Sequence, residues 1–240
     1  AVTFAAGLAS RGLKPFFVVY SSFLQRGFDQ IIHDIAIGGF SVRLLIDRAG
    51  IVGEDGETHQ GLFDVSFLAS VPDMTVYSPC YYSELENDIK RAAKEDRFCA
   101  VRYPRGCEKQ EPDLDFSGDF TVINGGKKAI VTYGRLFSDA LEAKAVCKDI
   151  SIVKLNKIYP LSRELTDRLK EFNEIHFFEE GIRSGGIAEL CAARLLEEGY
   201  GGIYKIHAVE NRFVPTATVT GAIKACGLDT ESMIAAVSEK

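Results

Sequence analysis

Short runs dominated by apolar and β-branched side chains occur at Phe16–Tyr20, 42–46, Thr75–Tyr77 and Cys99–Arg102, the pattern of strands covered on both faces of a parallel sheet. Between them the spacing changes. Leu24, Phe28, Ile31, Ile32 and Ile35 repeat at helical intervals, predicting one helix that Ser21 or Ser22 caps and Gly38-Gly39 stops. A short helix is expected near 63–70, and a longer one near 82–94 with Leu85, Ile89 and Ala93 on one face. Residues 1–9 read as a helix entered part-way, with no capping residue ahead of it. This alternation predicts a parallel sheet with crossover helices.

The rhythm breaks at 107–119, where acids, Pro112 and Gly118 read as a linker, and then restarts. Strands are expected at Phe120–Ile123, 129–133, 151–155, 175–178 and 203–206, with a hairpin turn at Gly125-Gly126 joining the first two. Helices follow from Phe137, near 162–171 and 186–198, and as two short pieces of 219–237 divided at Gly227. The expected fold class is therefore α/β in two domains, residues 1–106 and 120–240, each a mostly parallel sheet flanked by helices.

Composition narrows the function. A chain of 240 residues that is 46% hydrophobic can bury one or two full cores, and a net charge of -6 argues against nucleic-acid or membrane-surface binding. There is no apolar run of membrane-spanning length and no secretory leader pattern, so the cytoplasm is the expected location. The six cysteines form no CxxC pair, which signals neither zinc nor a disulfide framework.

Chemistry is expected in residues 47–64, where an apolar strand opens into a stretch with glycines, acids, Arg48, Asp55 and His59. In an open parallel sheet the ligand crevice lies beyond the carboxyl ends of the strands. Tyr20, Arg48, Asp55, His59, Tyr103 and Arg105 all follow strands, and Arg26 lies in the first turns of the helix after Tyr20. Guanidinium forks bind phosphate oxygens in pairs, so Tyr20, Arg26, Arg48 and Arg105 are candidates to hold a phosphorylated small molecule. The competing reading pairs each arginine with a neighbouring acid. His59, the histidine in a strand-end loop, carries an imidazole suited to proton transfer or to hydrogen bonding a developing charge, whereas His33, His176 and His207 read as structural. Phe23 departs from the apolar stripe and offers a flat face to an aromatic ring. Gly185-Gly186, opening a helix after Glu179-Glu180, carries a weak phosphate-turn signal.

Tyr20-Ser-Ser-Phe-Leu-Gln-Arg26, Asp47-Arg-Ala-Gly50, Gly53-Glu-Asp-Gly56, Thr58-His-Gln-Gly61 and Arg102-Tyr-Pro-Arg-Gly106 together resemble the 1-deoxy-D-xylulose-5-phosphate synthases. The resemblance is dense in the first domain and looser in the second. It implies a thiamine-diphosphate- and Mg²⁺-dependent transferase, a cytoplasmic homodimer that condenses pyruvate with glyceraldehyde 3-phosphate for isoprenoid and thiamine synthesis. Residues 1–106 would be the pyrimidine-binding domain and 120–240 the transketolase C-terminal domain. Phe23 would stack on the cofactor pyrimidine, Tyr20, Arg26, Arg48 and Arg105 would hold the aldehyde phosphate, and Asp55 and His59 would face the reacting carbon. The family's catalytic glutamate and its diphosphate and Mg²⁺ ligands are absent from these residues, so no metal site is expected and the chain alone is expected to be inactive. The alternatives are another transketolase-like enzyme, a pyruvate dehydrogenase β-type subunit, or a non-catalytic assembly module.

Overall fold

A computed structural model, which describes residues 1–239, places the chain in two five-stranded sheets. In the first, β1 (Phe16–Tyr20), β2 (Arg43–Asp47), β3 (Thr75–Tyr77) and β4 (Cys99–Arg102) run parallel in the order β1-β2-β4-β3. The second contains β5 (Phe120–Ile123), β6 (Lys128–Tyr133), β7 (Ile150–Leu155), β9 (Glu174–Ile182) and β10 (Ile203–Val209), ordered β10-β9-β6-β7-β5 and parallel except at β5. A strand that periodicity did not suggest, β8 (Lys157–Tyr159), leaves the second sheet and pairs antiparallel with β3 of the first. One large apolar cluster joins Leu44, Ile46 and Val76 to Val131, Val153 and Phe177, so the two sheets share a core.

The helices are α1 (Val2–Ser10), α2 (Ser21–Leu24), α3 (Phe28–Gln30), α4 (Asp64–Leu68), α5 (Tyr82–Lys94), α6 (Leu136–Val146), α7 (Arg163–Leu169), α8 (Ile187–Glu197), α9 (Val219–Ala225) and α10 (Thr230–Ser238). Three expectations change. Between β1 and β2 the single helix is instead α2, a 3₁₀ turn at Gln25–Gly27, α3 and a π segment at Ile31–Ala36. Leu24, Ile31 and Ile35 are still buried, but the winding alters so that 21–36 can carry those side chains to the core while Arg26 and Phe23 face outward. Ser21 and Ser22 do not cap it: both hydroxyls are buried without a hydrogen-bond partner.

The turn at Gly125-Gly126 is not a hairpin, because β5 pairs with β7 rather than β6. Its glycines are needed for close approach: a Cβ at either position would lie 1.9 Å from the carbonyl oxygen of Ile150 or Asp149. On α5 the buried positions are Glu84, Asp88 and Ala92, with Leu85 and Ile89 only half-buried. That face meets polar groups of β7 and its loop. Lys154 Nζ, fully buried, donates to Glu84 Oε2 at 2.8 Å and to Asn156 Oδ1 at 2.7 Å, so the carboxylate is paired rather than exposed.

Candidate active site

Because β1, β2 and β4 are adjacent and parallel, the loops after Tyr20, Asp47 and Arg102 leave the same edge of the sheet. Arg48 takes a left-handed conformation, φ 57°, which turns its side chain back across β1. Its guanidinium carbon lies 3.9 Å from the centroid of the Tyr20 ring, a cation–π contact. Phe23 stacks on the other partner in this row, 5.4 Å from Tyr20 at an interplanar angle of 19°. His59 meets Phe23 edge-on, also at 5.4 Å, with its Nδ1 2.9 Å from Thr58 Oγ1. Tyr20, Phe23, Arg48 and His59 thus form one cluster.

Asp55 and Arg105 form a second group, joined at 2.9 Å between Oδ2 and Nη1. Arg48 likewise has an acid partner, Asp47, at 2.5 Å. Two of the three candidate phosphate arginines therefore arrive with carboxylate counter-charges, as the competing reading held; the Asp47–Arg48 pair is half-buried and the Asp55–Arg105 pair exposed. Arg26 stands apart from these. It lines an open cavity of about 440 Å³ with Phe17, Val19, Phe23, Gly27 and Gln30. The Phe23 ring, 44% exposed, borders both the cavity and the His59 cluster.

The loop that carries Asp55 and His59 is built as a closed unit. Gly50 and Gly61 exchange two backbone hydrogen bonds of 2.7 Å, and Gly61 permits it because a Cβ there would fall 2.1 Å from the Arg48 carbonyl. Inside the closure, Gln60 accepts from Val52 N at 2.8 Å and donates to Val214 O at 3.3 Å. Glu180, at the end of β9, accepts from Ile51 N at 2.6 Å, and Arg135 binds both Glu180 and the Ile51 carbonyl. Periodicity flagged none of Gln60, Arg135 and Glu180 as site residues. The only signal was the pair of acids ending an apolar run at 179–180.

The phosphate turn expected at Gly185-Gly186 is already filled. The Glu179 carboxylate accepts from Ile187 N and Ala188 N, each at 2.9 Å, and from Tyr133 Oη at 2.7 Å. Burial pushes its pKa up, against the pull of those donors. The start of α8 is thus capped by the chain's own anion. His176 is buried between Glu174 and His207, with its pKa lowered by burial, as a structural histidine would be. Among the described residues, no group of three His, Cys, Asp or Glu side chains is placed to hold a metal ion, and no helix is long and apolar enough to cross a membrane.

Residues 1–108 match the family described as transketolase, pyrimidine binding domain. A 1-deoxy-D-xylulose-5-phosphate synthase of Clostridium botulinum is 41% identical, over 97% of this chain and 39% of the relative. The synthase of Helicobacter hepaticus is 36% identical over the full chain and 40% of its own length. The first 108 residues carry a transketolase pyrimidine-binding domain, and nearly the whole chain is similar to the 1-deoxy-D-xylulose-5-phosphate synthases. It spans about two-fifths of the length of these relatives. Among solved structures, one described as a split gene transketolase, inactive beta4 tetramer, superimposes with a TM-score of 0.85 at 26% identity, over 98% of this chain and 78% of that one. A transketolase of Campylobacter jejuni gives 0.80 at 16% identity, over 100% of this chain and 38% of its own, a likeness of fold.

Proposed function

We propose that the chain supplies the pyrimidine-binding and substrate-phosphate side of a thiamine-diphosphate- and Mg²⁺-dependent enzyme that decarboxylates pyruvate and transfers the two-carbon unit to glyceraldehyde 3-phosphate. The carrying observation is the half-exposed Phe23 ring, stacked on Tyr20, edged by His59 and open to a cavity large enough for a pyrimidine. Bound there, the cofactor supplies the electron sink for breaking a carbon–carbon bond. Phe23 offers its face to the pyrimidine. His59, on a loop fixed at both ends, and Asp55 on the same loop would face the reacting carbon, with His59 contacting the pyruvate-derived fragment. Arg105, Arg48, Arg26 and Tyr20 bind the aldehyde's phosphate; Asp47 and Asp55 hold the first two guanidinium groups until that dianion replaces a carboxylate.

The reading assigns the diphosphate and Mg²⁺ ligands to the part of the family that lies outside these residues. The reading assigns 1–106 to the pyrimidine-binding domain, 107–119 to a linker and 120–240 to the C-terminal domain of a cytoplasmic homodimer, and expects the 240 residues alone to be inactive. Carbon dioxide release from pyruvate, measured on this chain with and without the diphosphate-binding part of the family, tests it. Turnover that needs both parts and the phosphorylated aldehyde supports the reading; turnover by the chain alone, or by neither preparation, sinks it. The similar split transketolase subunit favours a second reading, in which the other part is a separate polypeptide. Co-purification of such a partner with this chain distinguishes the two.

A further inference from the structure

We propose that Arg135 and Glu180, both from the second half of the chain, are positioning residues that set the spacing between the His59 loop and the Arg105 loop. Arg135 immediately precedes α6 and Glu180 lies near the end of β9; their side chains are largely buried and face each other. Arg135 Nε donates to Glu180 Oε2 at 2.9 Å, and its Nη2 donates to Glu180 Oε1. Glu180 Oε1 also accepts from Ile51 N at 2.6 Å. The same guanidinium then reaches outward twice, from Nη2 to the Ile51 carbonyl and from Nη1 to the Arg105 carbonyl at 3.2 Å. One fork therefore grips both rim loops by their backbones.

The fit leaves no slack. Gly50, at φ 82°, sits where a Cβ would lie 2.5 Å from the Glu180 carboxyl carbon, so the loop is laid directly on that side chain. Further along, Gly53 and Gly56 approach the 216–219 segment so closely that a Cβ would meet Val219 N at 2.7 Å and Thr216 Oγ1 at 2.5 Å. The loop bearing Asp55 and His59 is thus anchored at several points outside the first sheet. Arg135 also touches the loop bearing Arg105, adding a buried link to the exposed Asp55–Arg105 pair and the Ala49 N to Tyr103 O hydrogen bond that join the two loops directly. A carboxylate in a buried site needs its cation, and a planar guanidinium is the side chain able to serve four acceptors in fixed directions. The pair acts as a unit, because removing either partner leaves the other charge without its match.

The test joins a structural readout with a kinetic one, the latter resting on the function proposed above. In hydrogen exchange on this chain, Arg135→Met should speed exchange at 51–60 by about tenfold or more while β2 and β7 remain protected. Arg135→Lys, which keeps one charge but not the fork, should fall between, and Glu180→Leu, which also removes the acceptor of Ile51 N, should speed exchange at 51–60 at least as much as Arg135→Met. In the complete enzyme, Arg135→Met should lower kcat/KM for glyceraldehyde 3-phosphate by about 10- to 100-fold, and less for unphosphorylated glyceraldehyde, because the Arg105 backbone is released. Unchanged exchange at 51–60 in both Arg135 variants overturns the proposal. So does altered exchange with unaltered kinetics in an active enzyme. If Arg135→Met does not fold, Arg135→Lys carries both readouts. If the complete wild-type enzyme turns over nothing, the functional reading fails and exchange alone decides whether the pair positions the loop.

Discussion

Arg102→Met should destabilise the chain far more than the loss of one ion pair at the surface. Arg102 Nε and Nη2 donate to the two Asp64 oxygens at 3.0 and 3.3 Å, and the residues are 3% and 0% exposed. Asp64 Oδ1 accepts one further bond, from Val65 N at 2.9 Å, which cannot replace the lost cation. Removing the guanidinium strands a buried carboxylate, at a cost of about 3–5 kcal/mol. With a urea slope near 3 kcal/mol/M, that moves the unfolding midpoint down by about 1–1.7 M. Asp64→Leu should be damaging for the mirror-image reason, and the double variant should recover much of the loss, leaving a coupling of about 2–3 kcal/mol. Urea melts of the four proteins at one neutral pH provide the cycle. Singles that each cost under about 1 kcal/mol, or that add in the double variant, refute the account.

Three other outcomes follow from the site and the core. Burial raises the Asp88 pKa to about 7, with Glu84 adding to the rise and Arg91 and Lys154 opposing it. The folded state therefore favours its neutral form: its contribution is full below about pH 4, the ordinary range of a free carboxyl, and is lost as pH rises through about 7. Asp88→Asn should be more stable than wild type by about 2–4 kcal/mol at pH 8 and nearly equal at pH 4, and parallel stability profiles would contradict this. His207, stacked 4.1 Å from Phe178, is held down to about 4 by burial and by the nearby His176 and Lys205 charges. Stability should fall as pH drops below about 6.5 and level off near pH 4; after discounting for its partial exposure, His207→Phe should remove about 1–2 kcal/mol of that acid loss in thermal melts. In the complete enzyme, Phe23→Ala should weaken thiamine diphosphate binding by about 0.5–1.5 kcal/mol beyond the lost contact area, read by calorimetric titration; unchanged affinity removes Phe23 from the cofactor site.

Elements whose partners are near in sequence were legible from the chain alone. The apolar runs at Phe16–Tyr20, Thr75–Tyr77 and Cys99–Arg102 and the helix Tyr82–Lys94 lie where local periodicity placed them, because burial on a regular element repeats at the element's own period. The strand-end rule also located Tyr20, Arg48, Asp55, His59 and Arg105 on one edge, since parallel neighbours release their loops together. Tertiary structure decided what faces what. On α5 the face expected at Leu85, Ile89 and Ala93 gave way to one of Glu84, Asp88 and Ala92 once Lys154 was brought beneath Glu84, and β5 looked like half of a hairpin until β7 became its neighbour. Glu179 turned an apparent phosphate turn into a filled helix cap. Glu180 reaches Ile51 across 129 residues of sequence. Such pairs leave no periodic trace, because each joins groups distant in sequence that meet only after the sheets have formed and packed into a common core.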